Sequence, residues 1–157
     1  MIKNSFFLIF FCLLFSLSAV AQKEAPFSEE MKQEMCNKVK EAAQHAWKGY
    51  KDYAWGADDL KPLTKNSKIW YKTSMLMTPV DAFDTFTLLG LTTEAKEAKD
   101  LILTKLDFNI DNDVQVFEIT IRLLAGLVPS YEIKKKKKFL TLAKDLADRL
   151  MPAFKSK

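Results

Sequence analysis

Val114-Gln-Val-Phe-Glu118-Ile-Thr-Ile-Arg122-Leu-Leu-Ala-Gly-Leu127 sets one acid and one base four residues apart inside an otherwise apolar run. At that spacing a helix brings Glu118 and Arg122 together on one face. Val116, Phe117, Ile121, Leu123 and Leu124 leave little room for a fully solvated surface around them. A carboxylate among apolar neighbours is expensive unless it is paired or used. Two readings follow. The pair is a structural ion pair, or Glu118 has a chemical role.

The same helical logic extends in both directions. Upstream, Ser28 with Glu29 and Glu30 opens a helix carrying Met31, Met35, Val39, Ala42, Ala43, Ala46, Trp47 and Tyr50 at inward spacing, ending near Trp55-Gly56. Residues 58–77 read as irregular. Thr78-Pro79-Val80-Asp81 is a helix start, with Thr78 as cap and Asp81 complementing the positive end of the dipole. This helix stops at Gly90. Thr92 or Thr93 opens the next, with Ala95, Ala98, Leu101 and Ile102 inward, and it closes near Leu106. Asp113 is placed to cap the Glu118 helix, whose end Pro129 interrupts and which fades near Tyr131. Phe139, Leu142, Ala143, Leu146, Ala147 and Leu150 form the last helix. No segment alternates as a strand, and the connections after Pro79 are short. The expected class is all-α, built of antiparallel helical hairpins.

The first residues read differently. Lys3, the apolar stretch Phe6 to Leu17 and Ser18-Ala19-Val20-Ala21 have the form of a signal peptide cleaved before Gln22. Residues 1–21 are therefore expected to direct export to a secreted or periplasmic location. The alternative is an uncleaved N-terminal membrane anchor. No later apolar run is long enough to span a bilayer. Residues 22–157 suffice for one domain and not for two. Beyond the signal Cys36 is the only cysteine, which excludes an intramolecular disulfide, and His45 is the only histidine, which argues against a zinc site. The net charge of +4 is concentrated in Lys134-Lys135-Lys136-Lys137-Lys138. That run lacks the flanking aromatic platform of a nucleic-acid surface and reads as a solvated turn, so no nucleic-acid partner is expected.

Several blocks, in order, resemble glycoside hydrolase family 47, the class I α-1,2-mannosidases. They are His45-Ala-Trp-Lys-Gly-Tyr50-Lys-Asp-Tyr-Ala-Trp-Gly56, Asp58-Asp-Leu-Lys-Pro-Leu63, and Val80-Asp-Ala-Phe-Asp84-Thr with Leu88-Leu-Gly-Leu91. Leu106-Asp-Phe108, Val114 to Leu127 and Leu146-Ala-Asp-Arg-Leu-Met-Pro-Ala-Phe154 complete the set. The chain departs from the family at Ser74-Met-Leu-Met-Thr-Pro79, where a glycine-rich segment is usual, at Pro129, and at the lysines that replace a Gly-Asp turn.

The resemblance implies that residues 22–157 are the N-terminal fragment of a glycosidase domain, the first part of an (α/α)7 barrel. It implies inverting hydrolysis of terminal α-1,2-linked mannose in a mannose-containing oligosaccharide or glycoprotein glycan, with a calcium ion at the barrel base. It makes Glu118 the general acid and Arg122 a sugar contact. It also places the second catalytic carboxylate and the calcium-binding threonine beyond Lys157, so the chain alone is expected to be inactive and to hold no metal site of its own.

Inversion needs two carboxylates about 6.5–9.5 Å apart, one giving a proton and one activating water. A semi-buried carboxyl suits the donor, while a neighbouring guanidinium favours the ionised form, so the two effects oppose one another. Asp81 and Asp84 share a helix face and are weighed as the base, but each has a structural reading, capping for Asp81 and a hydrogen bond within the barrel for Asp84. His45, Trp47, Tyr50, Tyr53 and Trp55 read as packing before sugar stacking. Asp107, Asp111 and Asp113 read as a polar turn before a calcium loop. The rival function is a small secreted helical module that binds glycan or protein without catalysis.

Overall fold

The structure is a computed structural model and describes residues 27–111 and 113–155. The segment expected to be a signal peptide lies outside the described residues. Residues Met35–Lys157 form one compact unit.

Helix α1 (Glu29–Tyr53) begins as the sequence anticipates. Ser28 Oγ accepts the Met31 amide at 3.2 Å, and Glu29 and Glu30 occupy the first turn. Its apolar stripe is only partly used. Trp47 and Tyr50 are buried, whereas Met31, Met35 and Val39 are exposed, as are Ala42 and Ala46. Helical spacing places these residues on a common face, but burial along the helix becomes substantial only from Ala43 onward.

Residues 58–77 contain a hairpin that the sequence pattern did not announce. Strands β1 (Asp59–Lys61) and β2 (Asn66–Lys68) pair antiparallel, with Asp59 opposite Lys68, Leu60 opposite Ser67 and Lys61 opposite Asn66. Three-residue strands rich in polar side chains carry no apolar alternation to read.

Helix α2 (Met77–Leu88) follows, and Gly90 at φ 73° turns the chain into α3 (Thr92–Lys105). The four predicted inward residues of α3 are all buried. The Glu118 segment is one helical run in three parts. These are α4 (Val116–Ile119), a π-helical turn (Thr120–Leu124) and α5 (Ala125–Lys134).

Two expectations for this run are corrected. Asp113 does not cap it: Gln115 holds the N-cap position, and its amide donates to Tyr71 Oη at 3.2 Å. Nor does the run break at Pro129 or fade near Tyr131. A proline removes one donor from the ladder, yet the flanking Leu127 and Ser130 are buried, and Ser130 Oγ donates to Gly126 O at 2.6 Å. Packing on both sides of the proline thus carries the helix on to Lys134. Lys135, at φ 51°, then turns the chain into α6 (Lys137–Leu150); the lysine run is exposed, as expected, but only Lys135 and Lys136 form the turn, with Lys134 ending α5 and Lys137 and Lys138 opening α6.

The result is an all-α arrangement of helical hairpins with one small β-hairpin attached. Its core is centred on α2. Phe83 stacks on Phe139 of α6 at 5.5 Å between ring centroids, and Phe86 meets Trp47 of α1 edge-on at 5.0 Å. Ile119, Leu123 and Leu127 pack into the same core. At Gly126 α5 lies close against α2: a β-carbon there would stand 2.8 Å from Val80 Cγ1 and 3.0 Å from Val80 O. That proximity sets Asp81 within reach of the Glu118 helix.

Candidate functional site

Glu118 and Arg122 meet as the spacing requires: Arg122 Nε donates to Glu118 Oε2 at 2.7 Å. Arg122 lies within the π-helical turn, a local widening of the helix that recurs at functional sites. Its guanidinium also reaches across to α2, donating from Nη1 to Asp81 Oδ2 at 3.0 Å. One arginine therefore holds two carboxylates that are far apart in sequence.

This is a correction for Asp81, read from sequence as a dipole-complementing residue at the helix start. Its side chain is instead taken up by Arg122. The start of α2 is served by other groups. Leu76 stands at the N-cap with φ 55°, without a side-chain cap, and Thr78 Oγ1 donates to the carbonyl of Asp58 at 2.7 Å rather than capping the helix. The Asp84 side chain makes a local bond: its Oδ1 accepts the amide of its neighbour Thr85 at 2.6 Å.

The site is partly open. The side chains of Glu118, Asp81 and Arg122 are 24%, 36% and 37% exposed, which leaves room for a ligand while reducing contact with bulk water. Burial raises the Asp81 carboxyl above its ordinary range, Arg122 opposes that shift, and the nearby charges of Asp84 and Asp59 reinforce it. Hydrogen bonds to Glu118 and then Asp81 raise Arg122 further, so the guanidinium stays charged.

Three further residues, Trp70, Asp58 and Asp59, belong here that the sequence reading did not assign to the site. Trp70 lies beside Arg122, with the guanidinium carbon 5.2 Å from the ring centroid. Its indole N–H donates to Asp59, and its backbone amide donates to Asp58 Oδ2 at 2.9 Å. Asp58 is fully buried. Its Oδ1 accepts Ser74 Oγ at 3.1 Å, the Met75 amide at 2.7 Å and the Met77 amide at 3.3 Å. One carboxylate thereby ties the β-hairpin to Trp70 and to the start of α2. The consecutive acids Asp58-Asp59 were the available signal, but nothing local says that one is buried and the other turned to an indole.

Of the aromatic residues expected to pack, Trp47 and Tyr50 do so. Trp47 stacks on Tyr50 at 5.1 Å, Tyr50 Oη donates to Ala57 O at 2.7 Å, and burial drives the Tyr50 phenol well above its usual value. Tyr53, Trp55 and His45 are exposed. Among the described residues no group of three or more His, Cys, Asp or Glu side chains is arranged to hold a metal ion. Asp107 accepts the Asn109 amide at 2.9 Å and Asp111 pairs with Lys72 at 3.6 Å, so the acidic turn does not fit calcium.

The sequence profile of glycosyl hydrolase family 47 matches residues 42–157, a region that contains every residue of this site. The chain belongs to glycosyl hydrolase family 47. It is 43% identical over 141 residues to the endoplasmic reticulum mannosyl-oligosaccharide 1,2-alpha-mannosidase of Rattus norvegicus, covering 90% of this chain and 20% of that relative. It is 42% identical over 132 residues to a mannosyl-oligosaccharide 1,2-alpha-mannosidase of Arabidopsis thaliana, covering 84% and 23%. An alpha-1,2-mannosidase from Trichoderma reesei is similar in structure, with a TM-score of 0.58 and 26% identity over 75% of this chain and 25% of that one. The chain thus spans about a fifth of the length of the curated family 47 relatives it matches. Its helical hairpins correspond to the first part of the family's α/α barrel.

Proposed function

We propose that this chain carries the proton-donating part of an α-1,2-mannosidase site, acting on terminal α-1,2-linked mannose of an oligosaccharide or glycoprotein glycan. The observation that carries the reading is the Glu118–Arg122–Asp81 cluster, half-open at the surface and inside the region matched to family 47. Glu118 protonates the glycosidic oxygen as the bond from the anomeric carbon breaks, and water activated by a second carboxylate attacks the opposite face. Arg122 orients Glu118 and offers its remaining N–H groups to sugar hydroxyls. Asp81 is engaged by Arg122 beside Glu118, so we assign it to holding the arginine and not to activating water. Residues 1–21 direct export in this proposal, which rests on their signal-peptide pattern. Among the described residues no helix is long and apolar enough to cross a membrane.

The test is Glu118→Gln in the enzyme that contains this segment, with turnover and binding measured separately on an α-1,2-linked mannose disaccharide. Loss of a general acid lowers turnover by roughly 10²–10⁴-fold, while affinity for the sugar is largely kept. Unchanged turnover removes Glu118 from the role. Loss of binding in step with turnover moves the weight to the rival reading of a binding module.

A further inference from the structure

Arg122 is held on three sides, and the third side is the least expected. Glu118 fixes Nε and Asp81 fixes Nη1, both through charge-assisted hydrogen bonds. Trp70 supplies a ring beside the guanidinium. A ring positions a cation only if the ring itself is fixed. Trp70 follows the hairpin in a loop, where side chains ordinarily have more freedom than on a helix. Two bonds remove that freedom: the backbone amide is held by buried Asp58, and the indole N–H is held by Asp59. Asp59 is itself set in register by its pairing with Lys68 in the β-hairpin.

We propose that Asp59, acting through the Trp70 indole, is a positioning residue that fixes the Arg122 guanidinium against Glu118. The hairpin, which carries no chemistry of its own, thereby becomes part of the support for the site. The inference rests on the reading of Glu118 and Arg122 as site residues, but it concerns a geometric coupling that exists whether or not Glu118 donates a proton.

The coupling is read without turnover, by nuclear magnetic resonance of the Arg122 Nε–H in the 157-residue chain. Loss of the Asp59 bond in Asp59→Ala is expected to speed exchange of that proton with water roughly tenfold. Asp59→Asn keeps an oxygen acceptor for the indole and is expected to stay within about twofold of the parent. Trp70→Phe removes the indole N–H and is expected to match Asp59→Ala, and adding Asp59→Ala to it should change nothing more. That non-additivity is the signature of a shared path. Amide exchange of Ile119 and Leu123, in the buried core, serves as the control and is expected to hold steady. The proposal is overturned if Arg122 exchange is unchanged in both single variants. It is also overturned if the two effects add, or if Arg122 speeds up only in step with the core amides. Failure of the proton-donor reading would appear elsewhere, as unchanged turnover in Glu118→Gln.

Discussion

Asp58 offers the sharpest stability prediction, because its carboxylate is fully buried and accepts four hydrogen bonds on two oxygens. Asp58→Ala strands three backbone amides and one hydroxyl. Each stranded group costs about 1–3 kcal/mol if it stays dry. Water entering the vacated space recovers part of that, and the cost of burying the carboxylate is itself relieved. The net expectation is a loss of about 3–5 kcal/mol, the range for removing one partner from a buried charged network. Asp58→Asn keeps an oxygen for Ser74, Met75 and Met77 but turns an amide N–H toward the Trp70 amide. It should cost about 1.5–3 kcal/mol, the worth of one bond to a charged group. Urea unfolding of the chain followed by circular dichroism reads the difference. With a slope of about 1–3 kcal/mol per molar urea, the alanine variant should lower the midpoint by at least about 1 M. A loss below about 1 kcal/mol for Asp58→Ala, or an asparagine variant as unstable as the alanine variant, would refute the hub assignment.

Three further variants test the packing and charge. Gly126→Ala places a methyl group 2.8 Å from Val80 Cγ1 and should destabilise the chain by about 1–3 kcal/mol in the same unfolding assay. The same variant should weaken the Arg122–Asp81 contact, seen as faster exchange of the Arg122 side-chain protons. Phe83→Ala removes a fully buried ring stacked on Phe139 and should cost about 3–5 kcal/mol by the same urea method. Glu97 resists burial, which alone would raise it, through hydrogen bonds from Lys51 and Trp47, and its net value is lowered below the ordinary 4.5. A lowered carboxyl contributes stability that is fully present above 4.5 and lost as pH falls through the folded value. Glu97→Gln should therefore flatten the acid limb of the stability–pH curve below 4.5, while an unchanged limb would place the effect elsewhere.

The helices were legible because their signals are local. Ser28, Gly90 and the inward set Ala95, Ala98, Leu101 and Ile102 each act within a few residues, and each is found as read. Glu118 and Arg122 were legible for the same reason, since four residues along one helix bring them together. Asp81 was misread because its partner is 41 residues away: the sequence near Thr78 offers a dipole to complement, and only the approach of α5 at Gly126 reveals the arginine. Trp70, Asp58 and Asp59 stayed hidden because a short polar hairpin leaves no periodic pattern, and its bonds join residues 11 to 19 positions apart. Met31, Met35 and Val39 show the opposite error. Helical spacing gives them a common face, but spacing alone does not supply a neighbour to cover it.

The central claim is that Glu118 donates the proton to the leaving oxygen, and leaving-group dependence tests it most directly. Turnover of the parent enzyme and of Glu118→Gln is compared on an α-1,2-linked mannose disaccharide and on a mannoside with an acidic, activated aryl leaving group. A poor leaving group needs the proton and an activated one hardly does, so the account predicts a fall of roughly 10²–10⁴-fold on the disaccharide and a much smaller fall on the activated mannoside. Equal losses on the two substrates would contradict proton donation by Glu118.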